Sequence, residues 1–431
     1  MARPIHTEPN TTHYEWAGST LQRLLGAKRR VSETWAFFSG PSQPAKIAGA
    51  DGATMETLVT EQPAVLGASG ADPEHHGQKY FFVKFLDPSD FPKFAYVGFN
   101  PDAVGRLGEP LKPHLAALLW QDRQAVESLA ELVRPQLRSR AAFEPFKAAY
   151  KTWAIAQAAA DWTGAETIDL APFVAPARRA DADASLERQA QTRREITGLM
   201  HRIPFREGEA ILVETPTLHA IAGLSLQIHP KAKDNFHPKD ELWIYRDVVL
   251  PGGATGWMLV EPQRTFDRTE SGADFFTPFS WEDAAGRLGF RKPITKARLE
   301  AFVALMDATP HPIARYVRAS TVMTPPGSAT RGPVQWRRVV EEAAWPYFLV
   351  RELRFEGAGE ATTPLAHDCF IELHATRGEI DVALRGGHGG EHRFTLTPAS
   401  PAFLPATLPY DSITYRARES ASLHFFTRSI D

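Results

Sequence analysis

The stretch Arg206–Asp247, REGEAILVETPTLHAIAGLSLQIHPKAKDNFHPKDELWIYRD, contains most of the residues that can bind a metal or move a proton. Within it the segment 225–229, SLQIH, alternates polar and apolar side chains, which is typical of a half-buried β-strand. Gln227 and His229 then share one face of that strand, and His219 lies on the strand before it. The pattern predicts paired β-strands with a polar face, and we expect the functional site there.

The polar residues of this stretch are candidate metal ligands. His219, Gln227 and His229 offer two imidazoles and an amide, and Glu241 opens a third predicted strand. Nitrogen and oxygen donors without a thiolate suit a divalent metal such as zinc, manganese, iron or nickel, and spacing alone does not choose among them. The alternative is that the histidines are hydrogen-bonded core residues of the strands. On a regular third strand, Glu241 and Arg246 would face opposite ways.

Composition limits the classes of function. A chain of 431 residues with 43% hydrophobic residues and a mean hydropathy of -0.28 indicates two or three globular domains with ample cores. A net charge of -3 and a pI near 6.6 give no basic surface for nucleic acid. The sequence has no apolar run long enough to cross a membrane and no apolar leader. With Cys369 as the single cysteine, an internal disulfide is excluded and a cytoplasmic location is expected.

Periodicity divides the chain. Helical spacing dominates between two β-rich regions, a Pro/Gly-rich connection follows at Thr324–Pro333, and the last hundred residues are short alternating strands typical of a small sandwich or jelly roll. The predicted division is a first β domain from 1–110 and 203–275, a helical insertion at 111–202, a helical linker at 276–333, and a second β domain at 334–431.

Several segments resemble the type I mannose-6-phosphate isomerases. Gly208–Ile211 and Thr217–Ile221 are similar to the family's GDAIFLPAGTLHAI segment, Val83–Asp87 to its IKFLD, and Phe403–Pro405 to its FLLP. Members of this family are cupin-fold enzymes that interconvert mannose 6-phosphate and fructose 6-phosphate with a bound divalent metal, usually zinc. The resemblance implies a mainly β fold: two cupin-like jelly-roll β-barrels or sandwiches with a helical insertion domain.

The resemblance also implies roles for individual residues. His219 occupies the position of a metal ligand, and Glu33 and Lys84 would line the sugar-phosphate pocket, with Lys84 binding substrate. Arg246 matches an arginine of the family that is thought to assist proton transfer. The residues themselves offer three candidate bases: Glu33, Glu241 and a histidine that does not bind the metal.

The sequence departs from the family at three ligand positions. Gly98 and Asn100 stand where the family's LSVQVHPD supplies a glutamine and a histidine, and His114 stands where its KPE supplies a carboxylate. The segment 224–230, LSLQIHP, is similar to the family's LSVQVHP but lies downstream of His219. One explanation is a site rebuilt from His219, Gln227 and His229, with Glu241 and His114 as further candidate ligands. The other is that the strand sequences are similar by chance and the barrel has no active site.

Two functions therefore remain. The first is a metal-dependent aldose-ketose isomerase that acts on a sugar or sugar phosphate through an enediol(ate), with zinc as the expected metal. The second is a non-catalytic bicupin that binds a carbohydrate or has a regulatory or structural role. Neither involves nucleic acid or a membrane, and the oligomeric state is open.

Overall fold

The computed structural model describes most of the chain. The described residues are 4–8, 10–13, 20–37, 45–50, 53, 79–84, 92–164, 168–230, 240–250, 252–264, 269–291, 294–339, 348–365, 370–387 and 390–428. Cys369 lies outside these ranges. In the described ranges no helix is both long and apolar enough to span a bilayer.

Strands outnumber helices in the described residues. The strands are β1 Ile5–Glu8, β2 Asn10–Thr12, β3 Glu33–Trp35, β4 Lys46–Ile47, β5 Lys79–Lys84, β6 Phe94–Phe99, β7 Met200–Pro204, β8 Glu209–Val213, β9 His219–Ile221, β10 Ser225–Ile228, β11 Glu241–Val249, β12 Thr255–Arg264, β13 Glu270–Asp274, β14 Phe279–Glu282, β15 Arg287–Phe290, β16 Val317–Ala319, β17 Thr321–Met323, β18 Ala329–Arg331, β19 Val334–Arg338, β20 Phe348–Phe355, β21 Gly359–Pro364, β22 Ile371–Arg377, β23 Ile380–Arg385, β24 Glu391–Leu396, β25 Ala402–Leu404, β26 Ser412–Ala417 and β27 Ala421–Arg428. The α-helices are α1 Thr20–Leu25, α2 Pro101–Gly105, α3 Leu111–Val133, α4 Arg140–Ala159, α5 Arg179–Gly198 and α6 Lys296–Leu305.

Two sheets form the first β unit. One has five strands in the order β13-β10-β9-β6-β7, and the other has seven in the order β16-β8-β11-β12-β5-β3-β2. Val97 of the five-stranded sheet and Trp243 of the seven-stranded sheet belong to one buried cluster. The sheets therefore enclose a common interior, as in a β-sandwich or jelly roll.

Helices cover the outer face of the five-stranded sheet. The helical spacing predicted between 111 and 202 is present as α3, α4 and α5. Tyr96 pairs with Ala220 across β6 and β9, and its hydroxyl donates to Asp161, just beyond α4, at 2.7 Å. Val97 and His219 form the next pair, so their side chains lie on the opposite face. Helical packing on the Tyr96 side thus leaves His219 directed into the barrel.

The second β unit has an eight-stranded sheet, β17-β19-β20-β27-β22-β25-β1-β4, and a five-stranded sheet, β18-β21-β26-β23-β24. Leu353, Leu373 and Tyr415 belong to its buried core. Two of its strands, β1 and β4, come from the start of the chain, because Ile5 pairs with Phe403 of β25. The first residues of the predicted first domain therefore complete the sheet of the second.

The predicted linker at 276–333 contains more strand than expected. It holds one α-helix, α6, together with the hairpin β14–β15 and the short strands β16, β17 and β18. Strand β16 pairs with β8 and extends the seven-stranded sheet. This segment thereby carries Tyr316, the residue before β16, to the edge of the barrel.

Candidate metal centre

Two histidines and a glutamate meet inside the first barrel. One ligand atom from each of His219, His229 and Glu241 lies within 4.8 Å of the other two. The three residues are no more than 2% exposed, and the two imidazole ring centroids are 4.8 Å apart. Among the described residues, this is the one group of three or more histidine, cysteine or acidic side chains placed to hold a metal ion.

Strand pairing brings the three residues together. Gln227 of β10 is the direct partner of His219 of β9, so their side chains share a face. His229 follows two residues after Gln227 and continues on that face. Glu241 begins β11 in the opposite sheet. The site therefore spans the gap between the sheets, with the imidazoles on one wall and the carboxylate on the other.

Hydrogen bonds orient both imidazoles. His219 Nδ1 is 3.0 Å from the Thr217 carbonyl oxygen, and because a carbonyl only accepts, Nδ1 carries the proton and Nε2 keeps its lone pair. His229 Nδ1 lies 3.2 Å from Thr269 Oγ1. These contacts leave both Nε2 atoms as the metal-facing nitrogens.

The carboxylate of Glu241 is held from one side. Trp243 Nε1 donates to Glu241 Oε2 at 3.0 Å, and Oε1 lies 2.8 Å from His229 Nε2. That second contact is short but does not have hydrogen-bond geometry. An imidazole nitrogen and a carboxylate oxygen that converge without a hydrogen bond are arranged as ligands of a common ion, and a buried carboxylate needs a compensating cation. The donor set therefore fits a divalent metal.

Two more carboxylates are buried on the same sheet face. Across neighbouring strands, Glu33 is paired with Lys84, Lys84 with Leu259, and Leu259 with Tyr245. Paired residues share a face of the sheet, and Glu241 lies on the same face of β11 as Tyr245. Glu261 is two residues beyond Leu259 and is 0% exposed, and Glu33 is 5% exposed. The structure thus supports a common interior for Glu33 and Glu241, and it adds Glu261. The alternation Trp257, Leu259, Glu261 in an apolar strand is the signal by which the sequence could have indicated Glu261.

The backbone register puts Lys84 in the same row as Glu33 and Gln227 in the same row as His219. The backbone of Lys84 is paired with Glu33, and its side chain lies outside the described part of the chain. Gln227 is partly buried and pairs with Ser271 as well as His219. Their assignments as substrate-binding and metal-binding residues remain predictions.

The three departures from the family's ligand positions have structural explanations. Asn100 caps α2, because its side chain accepts from the backbone NH groups of Asp102 and Ala103. His114 lies in the first turn of α3, where Nδ1 is 2.7 Å from Glu109 Oε1. Among the described residues, His114 is not part of the metal-binding group. Its prediction as a ligand is therefore not supported, since its imidazole is held by a surface carboxylate.

Gly98 stands in a β-bulge of β6 with φ at +59°. A Cβ on Gly98 would lie 2.1 Å from the Tyr316 hydroxyl oxygen and 2.3 Å from Tyr316 Cζ. Since Tyr316 is 1% exposed, its ring has little space to retreat. Tyr316 thus occupies the space that a larger residue at position 98 would need.

Gly98→Ala is expected to lower the free energy of unfolding by roughly 2–4 kcal/mol, because it adds overpacking to left-handed backbone strain. Gly108→Ala is the matched control: φ is +69°, and nothing lies within 4 Å of the new Cβ, so only about 1–2 kcal/mol of strain is expected. Urea unfolding of both variants measures the difference. Equal losses would show that Tyr316 does not restrict position 98.

Arg246 lies on the other face of β11. Its Nη2 is 2.9 Å from Glu352 Oε2 and donates to His424 Nε2 at 2.7 Å. Both partners belong to the second β unit, and Arg246 is 2% exposed. Burial, together with the Arg246 charge, holds the pKa of His424 well below its usual value. This position does not support the predicted role of Arg246 in proton transfer, because Glu241 faces the opposite side of the strand.

Apolar residues surround this ion pair and join the two β units. Leu242 and Ile244, from the same face of β11, cluster with Val350 and Phe403 of the eight-stranded sheet. The strand β11 therefore serves two purposes: its odd-numbered positions, including Glu241, face the candidate metal centre, and its even-numbered positions face the second barrel.

Comparison with solved structures confirms the fold. The chain is similar over 100% of its length, and 100% of theirs, to two structures of one enzyme: the apo form of mannose 6-phosphate isomerase from Salmonella typhimurium, at 13% identity and a TM-score of 0.50, and a histidine-to-alanine variant, at 12% identity and a TM-score of 0.50. Neither a protein-family model nor a curated protein matches the sequence. The likeness shows the predicted fold of two cupin-like units, and at this identity it shows the fold alone.

Proposed function

We propose that the protein is a metal-dependent aldose-ketose isomerase that acts on a sugar phosphate, with a reaction like that of mannose-6-phosphate isomerase. The buried group of His219, His229 and Glu241 carries the proposal. The full-length likeness to mannose 6-phosphate isomerase supports it at the level of fold. The expected substrate is a small sugar or sugar phosphate, and the expected compartment is the cytoplasm.

His219 and His229, through Nε2, and the Glu241 carboxylate would hold the metal, for which zinc is our first choice. When bound, such an ion stabilises negative charge that develops on substrate oxygens. The surrounding contacts fix the donors in advance: the Thr217 carbonyl orients His219, and the Trp243 indole orients Glu241. This pre-organisation lowers the cost of assembling the site.

The reaction moves a proton from the carbon beside a carbonyl to its neighbour by way of an enediol(ate), and it requires a base inside the barrel. The position of Glu241 favours a ligand role. Glu33 and Glu261 remain as bases, since both are buried on the face that Glu241 shares. We assign the binding of the phosphate group to Lys84, whose backbone pairs with Glu33.

The proposal is tested by elemental analysis of the protein purified without a polyhistidine tag or added metal, followed by an assay coupled to fructose 6-phosphate formation. We expect about one transition metal per chain and turnover of mannose 6-phosphate or a related aldose phosphate that stops after chelation. Absence of metal from protein that remains folded would contradict the proposal. So would a metal-loaded protein that converts no aldose or aldose phosphate.

The second candidate is a non-catalytic bicupin that binds a carbohydrate. Asn100 acts as a helix cap and His114 pairs with Glu109, so two of the family's ligand positions serve other purposes. Binding of an aldose phosphate by calorimetry, without conversion in the presence of metal, would favour this candidate.

A further inference from the structure

The interior face of the five-stranded sheet carries polar residues in line with the candidate metal centre. His201 of β7 is the direct partner of Val97 of β6, and Val97 is the direct partner of His219 of β9. Paired residues of antiparallel strands share a face. His201 and His219 therefore point into the same barrel interior, two strand spacings or about 10 Å apart.

Tyr316 reaches this row from the edge of the opposite sheet. Its ring centroid is 5.8 Å from that of His201, and its hydroxyl oxygen is 2.1 Å from the position of a Cβ on Gly98. The backbone NH of Gly98 donates to the carbonyl of Leu218, the residue before His219, at 2.8 Å. The hydroxyl thus lies over β6, beside the strand that carries the first metal-binding histidine.

Other contacts fix the ring but leave the hydroxyl available. The backbone NH of Leu212 donates to the Tyr316 carbonyl at 2.7 Å, and His201 Nε2 donates to the His311 carbonyl at 2.7 Å, which holds the imidazole against the ring. Burial raises the pKa of Tyr316 to about 12, so the phenol is protonated at neutral pH and acts as a donor. Within the described part of the chain, nearby charges but no hydrogen bond act on this hydroxyl. A buried hydroxyl ordinarily has a partner, and a ligand in the barrel can provide it.

We propose that the Tyr316 hydroxyl donates a hydrogen bond to an oxygen of the substrate bound at the His219, His229 and Glu241 centre. The inference rests on the proposed function and deepens it. The substrate class it indicates is one with several adjacent oxygens, such as the carbonyl and neighbouring hydroxyl of an aldose, because the metal ligands and the phenol lie at separate points of the barrel interior. Gly98, which has no side chain, then leaves the space that the phenol occupies beside the substrate.

Binding of acetohydroxamate to the Co²⁺-loaded protein tests this inference. The probe offers two adjacent oxygens, and the visible absorption of Co²⁺ reports its binding to the metal directly. We expect Tyr316→Phe to retain the metal and to bind acetohydroxamate about tenfold more weakly than the unaltered protein, as for the loss of one buried hydrogen bond. Tyr415→Phe is the matched control, because Tyr415 is also 1% exposed but lies in the core of the second barrel; its affinity should not change.

The outcomes distinguish the role of Tyr316 from the proposed metal-dependent function. Equal affinity in Tyr316→Phe and the unaltered protein, with Co²⁺ retained in both, would overturn the role of Tyr316 and leave the metal-dependent function standing. Equal weakening in Tyr316→Phe and Tyr415→Phe would also overturn it, because a general loss of packing would then explain the effect. Failure of the unaltered, folded protein to take up Co²⁺ would contradict the proposed function and the inference together.

Discussion

Replacement of His219 or His229 by alanine is expected to weaken metal binding more than about 100-fold, which exceeds the usual effect of altering a residue that merely supports a ligand. Each imidazole supplies one of three converging donors, and among the described residues no further histidine belongs to this group. Elemental analysis after gel filtration should show metal lost from both variants, and isomerase activity should fall with it. Glu241→Gln should retain part of the affinity, because an amide oxygen can still coordinate without charge.

His201→Ala is the control for these variants. His201 lies on the same face of the same sheet, but its Nε2 donates to the His311 carbonyl, and it is not part of the metal-binding group. We expect it to keep its metal. If His201→Ala lost the metal as completely as His219→Ala, the loss would reflect a general disturbance of the barrel and the assigned ligand set would be wrong.

Arg246→Ala is expected to lower the free energy of unfolding by about 3 kcal/mol, the low end for a broken buried ion pair. It removes one of the two guanidinium groups that contact the buried Glu352 carboxylate, and Arg354 remains at 3.2 Å. Glu352 is 0% exposed and its Oε2 is 2.9 Å from the Arg246 guanidinium. Urea unfolding measures the loss. The double variant Arg246→Leu/Glu352→Leu should recover much of the stability, since replacing both members of a buried pair with apolar residues is often nearly neutral.

Arg416→Ala provides the comparison. Arg416 pairs with Glu360 on the surface of the second β unit, where its side chain is 51% exposed, and an exposed pair contributes less than about 1 kcal/mol. Metal content should be unchanged in folded Arg246→Ala. Loss of metal from Arg246→Ala at a concentration of urea far below its unfolding midpoint would show that Arg246 belongs to the metal centre after all.

Local patterns in the sequence predicted the elements of the site well. The alternation through 225–229 predicted β10 and the shared face of Gln227 and His229, and the pairing of Gln227 with His219 places the first histidine on that face. Helical spacing predicted α3, α4 and α5. These features could be predicted because side-chain direction repeats every two residues in a strand and every 3.6 residues in a helix. Both repeats depend only on residues that are close in sequence.

Local sequence patterns did not predict which distant segments pair with one another. The sequence by itself determined which residues could serve as ligands and the alternation that puts Gln227 and His229 on one face. Only the tertiary structure decided that Glu241 closes the site from the opposite sheet, that Arg246 binds Glu352 between the barrels, and that β16 carries Tyr316 over Gly98. The physical reason is that the face of a residue is set by its immediate neighbours, whereas the strand it meets is set by the packing of whole sheets.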